Sequence, residues 1–281
     1  MALRFSVLGS GSGGNCTLLV IGEGDAARRV LIDAGLSPRE TARRLERFGV
    51  AIPDLDAILI THLDGDHLRE SWPRVCARNG IRMCLHRRHA RHAPFHAELR
   101  DLLMIFEGGF ELDGGALVQP TLLAHDDLGT VGYVIEHQGE RLGLATDLGR
   151  VHPGLYEHFV DLDVLAIESN YDRRMQIESN RPPVLKRRIM GGQGHLSNEQ
   201  SLEAVLGIAS RSRLRHVVLL HLSRQCNDPA IIERLYAAKA PALAPRLVIS
   251  SQFTPTPLLG ACDRPSVRVG GVLQSTLFQS F

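Results

Sequence analysis

The chain has 281 residues, 44% of them hydrophobic and 22% charged, with a formal net charge of +1. That balance suits a globular protein, and a charge so near zero singles out neither nucleic acid nor a membrane surface as partner. No run approaches the ~20 apolar residues of a membrane span, and the opening MALRFSVLGS lacks the pattern of a signal peptide.

Residues 3–8 (LRFSVL) and 17–21 (TLLVI) predict strands around a glycine-rich turn, and 29–33 (RVLID) predict a third. Residues 38–48 have helical spacing, with Ser37 as N-cap. AILI (57–60) reads as a buried strand and 67–79 as a helix. From 102 to 146 the pattern turns β-rich: LLMIF, ALVQPTLL, VGYVIEH, then RLGLAT across the turn QGE. DVLAIE (163–168) is a further strand, and 198–210 a helix. VVLLHLS (217–223), a helix over 228–239 and RLVIS (246–250) follow. The polar, basic stretch 171–195 reads as a surface insertion. From 251 onward the alternation in SVRVGGVLQSTLF suits either completion of this sheet or pairing with a second subunit, so a dimer is admitted. Strands with interspersed helices in two similar halves predict a layered α/β sandwich, taken as one domain over 1–281.

Five cysteines, odd in number and without CxxC pairing, fit reduced thiols and a cytoplasmic location. Thirteen histidines raise the prior on metal or acid–base chemistry without locating it. The location comes from THLDGDH (61–67). His62, Asp64, Asp66 and His67 crowd a loop at a strand's C-terminal end, where a rigid strand can aim several imidazole and carboxylate donors at one ion. The plainer reading is a polar connection with Asp66 as an N-cap. His125, Asp147 and His221 repeat the arrangement, each standing where an apolar strand gives out.

In series, THLDGDH, AHD (124–126), TDLG (146–149) and LLHLS (219–223) resemble the metal motifs of the metallo-β-lactamase fold. LGSGSGGNC (8–16), IESNYD (167–172), LKRRI (185–189), GHLSN (194–198) and HLSRQCND (221–228) further resemble the YycJ/WalJ group of nucleases and, more distantly, ribonuclease Z. The resemblance spans nearly the whole chain. It implies a four-layer αββα sandwich and a cytoplasmic, metal-dependent phosphodiesterase, a 5′→3′ DNA exonuclease using a metal-bridging hydroxide as nucleophile. It also implies two divalent cations, Mn²⁺ or Zn²⁺, with Mg²⁺ or Fe²⁺ as further fits. One ion would lie among His62, Asp64, His125 and Asp147, and the other among Asp66, His67, Asp147 and His221. Asp64 stands where the family pattern has a third histidine. Oxygen donors shift preference toward Mn²⁺ or Mg²⁺ relative to Zn²⁺, so the expectation is an active site of altered metal choice, against a weakened first site.

The same resemblance places Asp66, His195 and Glu168 in the catalytic set, His195 as general acid and Glu168 as the carboxylate that orients it. His195 and Ser197 could instead only cap the helix beginning near Asn198, with Asn198 itself as N-cap. GSGSGGN (9–15) is neither a Walker loop nor a Rossmann turn, since it lacks GK[ST] and precedes a strand. Ser12 and Asn15 remain candidates for substrate contact there. Arg181, Lys186, Arg187 and Arg188 form a basic run beside Ser197 and Asn198 and suit a phosphate-tracking wall. HRRHARHAPFH (86–96) reads as a mobile, solvated loop near the cleft mouth. Two other functions stay open: a small-molecule ester, lactone or thioester hydrolase with an enclosed pocket, and a non-catalytic binder with a decayed metal site.

Overall fold

The computed structural model describes residues 3–260. The first sheet takes strands β1 (Leu3–Gly9), β2 (Cys16–Ile21), β3 (Arg28–Ile32), β4 (Ala57–Leu59), β5 (Arg82–His86) and β6 (Leu103–Phe106). The second takes β7 (Phe110–Leu112), β8 (Ala116–Leu123), β9 (Thr130–His137), β10 (Glu140–Ala145), β11 (Val164–Glu168), β12 (His216–Leu220) and β13 (Leu247–Ile249). The last strand, β14 (Leu259–Gly260), returns to the first sheet beside β1, so the orders are β14-β1-β2-β3-β4-β5-β6 and β13-β12-β11-β10-β9-β8-β7. The rest of the alternating C-terminal run lies outside the described residues.

The period-2 pattern decides which side chains meet. Along β2, Leu19 and Ile21 point into the core between the sheets, with Phe5, Val30, Tyr133 and Leu144. Leu18 and Val20 point the other way, toward Leu45 of α1 (Pro38–Leu45) and Trp72 and Cys76 of α2 (Trp72–Asn79). The second sheet has its own outer layer. Leu155 of α5 (Pro153–His158), Leu202 and Val205 of α8 (Asn198–Ala209) and Ile232 of α9 (Pro229–Lys239) pack on Leu165, Val217 and Leu219. Three apolar interfaces between four layers make the αββα sandwich that the motifs implied.

Ser37 caps α1 as read from the sequence, its hydroxyl accepting from the Glu40 amide at 3.2 Å. The helix expected over 67–79 starts only at Trp72. Residues 64–69 instead close a turn, with the amides of His67 and Leu68 on the Asp64 carbonyl, and pair with Ala34 across to the first sheet. The His/Arg-rich run is not the solvated loop expected. It folds into α3 (Arg87–Ala90) and α4 (His96–Leu99), and His89 is buried with Nε2 2.9 Å from the Gly129 carbonyl. The stretch 171–195 carries α6 (Arg173–Glu178) and α7 (Pro183–Met190). Strands β5 and β7 and helix α5 were not anticipated, because IRMCLH mixes charges into an apolar run and the other two are very short.

Candidate metal centre

The rim at the C-terminal ends of β3, β4, β10, β11 and β12 collects the polar residues, as open α/β sheets do. Backbone geometry helps. Asp33, Asp147 and His221 each end a strand with φ of 62°, 54° and 55°, turning the chain sharply so that the side chain faces the rim. Non-glycine residues in this region cluster at functional sites. The loop after β4 is tied to the opposite sheet, since Tyr133 donates its hydroxyl to the Ile60 carbonyl at 2.6 Å and the Val131 amide donates to Thr61 at 3.0 Å.

All seven metal candidates converge. Donor atoms of His62, Asp64 and His125 lie within 4.8 Å of one another, as do those of Asp66, His67 and His221. Asp147 reaches both sets: its carboxylate lies with His62 and His67 within the same 4.8 Å, with Oδ2 2.8 Å from His67 Nε2 and Oδ1 3.3 Å from His221 Nδ1. Six of the seven are at least partly buried, whereas the Asp64 side chain is 51% exposed at the cleft mouth.

The donor set fits divalent cations. His62 Nε2 is buried and has no hydrogen-bond partner among the described residues, a cost that a coordinated ion would remove. Burial, reinforced by the neighbouring His67, pushes the His62 pKa well below 6.5, so its ring is a neutral ligand. For His67 and His221, burial opposes the charge, but Asp147 and the carboxylates around it reverse the balance. His67 ends well above its usual value and His221 at about 10. Burial likewise opposes the Asp147 carboxylate, and His221 and His67 nevertheless hold its pKa well below 3.8. These protons supply positive charge where cations would otherwise bind.

A shell of further residues orients the donors. Asp33, which the sequence reading missed, accepts from the Thr61 amide at 2.8 Å and lies 2.7 Å from His67 Nδ1. Asn170 donates to the His221 carbonyl at 2.7 Å, and the Gly194 carbonyl lies 3.1 Å from His125 Nδ1. Such partners set the tautomer and angle of each imidazole. The Glu168–His195 pair expected from the resemblance is present as geometry: Oε1 lies 2.6 Å from His195 Nδ1. Glu168 Oε2 accepts from the Leu148 and Leu196 amides at 2.7 and 3.3 Å. Despite full burial, which opposes it, His195 beside Glu168 keeps this carboxyl below its usual pKa.

A cleft of about 410 Å³ opens over the centre, with Ser12, Asp64, His195 and Gln225 among its walls and Arg181 and Arg188 on the α6–α7 side. The other substrate candidates sit elsewhere. Asn15 is buried, and its amide clasps the glycine-rich loop to the centre. Its Oδ1 accepts from Ser10 Oγ and the Gly11 amide, and its Nδ2 lies 2.9 Å from His67 Nε2. Ser197, not Asn198, is the N-cap of α8, in a reciprocal pair with Gln200. Asn198 is buried among Ser169 and Asn227. Lys186 donates to the Ile177 carbonyl at 2.6 Å, and neither it nor Arg187 lines the cleft. No helix among the described residues is long and apolar enough to cross a membrane.

Residues 28–222 match the family described as "Beta-lactamase superfamily domain". The chain is 30% identical over 231 residues to "Exodeoxyribonuclease YycJ" of Bacillus anthracis, covering 81% of this chain and 85% of that one. Its fold is similar to the crystal structure of the metallo-beta-lactamase fold protein YhfI from Bacillus subtilis, with a TM-score of 0.67 at 12% identity over 91% of this chain and all of that one. The short form of human tRNase Z gives a TM-score of 0.61 at 14% identity, over 91% of this chain and 99% of that one. The chain thus belongs to the beta-lactamase superfamily, as one of its metal-dependent hydrolases.

Proposed function

We propose that this protein is a phosphodiesterase that removes nucleotides from the 5′ end of DNA. The observation that carries the reading is the pairing, in one cleft, of the Glu168–His195 couple with the guanidinium groups of Arg181 and Arg188. An ester or lactone hydrolase needs no cationic wall, and the exposed Ser12, Arg188 and Gln225 at the mouth suit a polymer better than an enclosed small molecule. The exonuclease name of the Bacillus anthracis relative supports the same choice.

His62, Asp64, His125 and Asp147 would hold one divalent cation, and Asp66, His67, Asp147 and His221 the other. When bound, the pair supplies Lewis-acid charge and a water acidic enough to attack near neutral pH. The chain's own residues do the rest. Arg181 and Arg188 draw the phosphate backbone along the cleft by charge. Arg181 is braced for this by Gln176 Oε1 at 3.0 Å and Ser223 Oγ at 3.2 Å. Glu168 stays ionised and accepts the Nδ1 proton of His195, so that the doubly protonated ring gives its second proton, on Nε2, to the departing sugar oxygen and is left neutral.

The test is digestion of end-labelled duplex DNA, bearing a 5′-phosphate or 5′-hydroxyl, by protein loaded with Mn²⁺. Asp147→Ala and a duplex RNA substrate run alongside. The reading expects stepwise release of mononucleotides from the 5′ end of DNA and none by the variant. Indifference to DNA in Mn²⁺, Mg²⁺ and Zn²⁺ alike would overturn it.

A further inference from the structure

Phe253 is the one Phe, Tyr or Trp side chain that is exposed among the described residues, at 63%. It does not dangle on a free loop. The preceding Gln252 is pinned to the glycine-rich loop, its Oε1 accepting from the Gly13 amide at 2.7 Å and its Nε2 donating to the Gly14 carbonyl at 2.9 Å. Ser12, between those glycines and Gly11, lines the cleft. The Phe253 amide donates to Ser251 Oγ at 3.1 Å. The guanidinium carbon of Arg224 sits 5.8 Å from the ring centroid, within cation–π range. Arg224 is exposed, three residues past His221, and lies between Ser223 and Gln225, both of which line the same cleft.

An aromatic face in water with a cation beside it matches the two halves of a nucleotide. Bases of any identity stack on such a ring, and a guanidinium pairs with a phosphate. We infer that Phe253 and Arg224 form a nucleotide subsite on the Ser12–Gln225 side of the cleft, next to Arg181, which donates to Ser223 Oγ at 3.2 Å and Gln225 Oε1 at 3.3 Å. The ring stacks on a base, and Arg224 takes an adjoining phosphate. This rests on the nucleic-acid reading above and adds to it that the bound strand is unpaired there, since a base inside a duplex has no free face.

The experiment measures anisotropy of a labelled, hydrolysis-resistant phosphorothioate single strand, intact or carrying abasic units at successive positions. It uses the wild type and the Phe253→Ala, Phe253→Trp and Arg224→Ala variants. The subsite predicts roughly tenfold weaker binding for Phe253→Ala and near-wild-type binding for Phe253→Trp. It also predicts an abasic position that weakens the wild type to the same degree yet leaves Phe253→Ala unaffected. Arg224→Ala should lower the salt dependence by about one phosphate contact. Unchanged affinity in Phe253→Ala, or an abasic penalty that persists in it, would overturn the subsite while sparing the nuclease. Failure of the wild type to bind any strand would instead overturn the nucleic-acid reading and the subsite with it.

Discussion

His67 Nδ1 lies 2.7 Å from Asp33 Oδ2, and the same carboxylate accepts from both the amide and the hydroxyl of Thr61. Asp33 therefore aims one imidazole and braces the loop that carries four donors, without being a donor itself. Asparagine tolerates the left-handed backbone at this position, so Asp33→Asn changes the charge and spares the turn. The expected result is a metal affinity lower by roughly 10–100-fold, read by titration with Mn²⁺ or Zn²⁺, with the fold retained by circular dichroism.

The Glu168–His195 couple makes a separate prediction. Glu168→Gln and His195→Ala should each lower kcat by roughly 10²–10⁴-fold while leaving the metal content of the wild type unchanged. Normal kcat in either variant would remove the pair from the reaction.

Metal uptake should release protons. In the metal-free protein the neighbouring carboxylates favour the protonated rings, raising His67 well above its usual value and His221 to about 10. His62 is held neutral by burial and contributes none. Calorimetry in buffers of different ionisation enthalpy should therefore show net release of protons as the centre loads. The sign for stability follows. The His221 contribution is complete below its unfolded value of 6.5 and is lost as pH climbs through about 10. The Asp147 contribution is present above 3.8 and is lost in acid. The melting temperature of the metal-free protein should therefore decline as pH rises from about 6.5 to 10, and again below pH 4.

Asp64 gives a selectivity test. Restoring an imidazole by Asp64→His replaces an exposed oxygen donor with nitrogen, which favours Zn²⁺ over Mn²⁺. Equilibration with equimolar Mn²⁺ and Zn²⁺, followed by elemental analysis, should show the variant richer in Zn²⁺ than the wild type. Identical ratios would mean that Asp64 does not ligate.

A glycine pair checks the loop. A Cβ on Gly35 would lie 1.7 Å from the Asp66 carbonyl, whereas one on Gly65 would meet nothing within 4 Å. Gly35→Ala should cost roughly 2–3 kcal/mol or more and loosen metal retention, with Gly65→Ala as the neutral control in the same denaturant melts.

The donors were legible because each follows an apolar run: AILI before His62, RLGLAT before Asp147, VVLL before His221. Asp33 obeys the same rule at the end of RVLID and could have been found by it. What stayed hidden depended on partners distant in sequence. Asn15 and Asn198 look like surface recognition residues until Ser10, His67, Ser169 and Asn227 are brought against them. A hydroxyl before an acidic stretch reads equally well as a cap or a contact, and only the Gln200 amide at 3.3 Å makes Ser197 the former. The stretch 171–195 was too polar to show periodicity, though it carries the arginines facing the cleft.

The centre is drawn from both halves of the sandwich: four donors from the loop after β4, and His125, Asp147 and His221 from the other sheet. A cation held by both groups of donors would thus fasten together two layers that meet through a mainly apolar core and a few hydrogen bonds such as Tyr133 to Ile60. Whatever binds the closed sandwich and not the open chain holds it shut by mass action. A cell short of the right metal would lose copies of this protein to its proteases, and the surviving copies would also work more slowly.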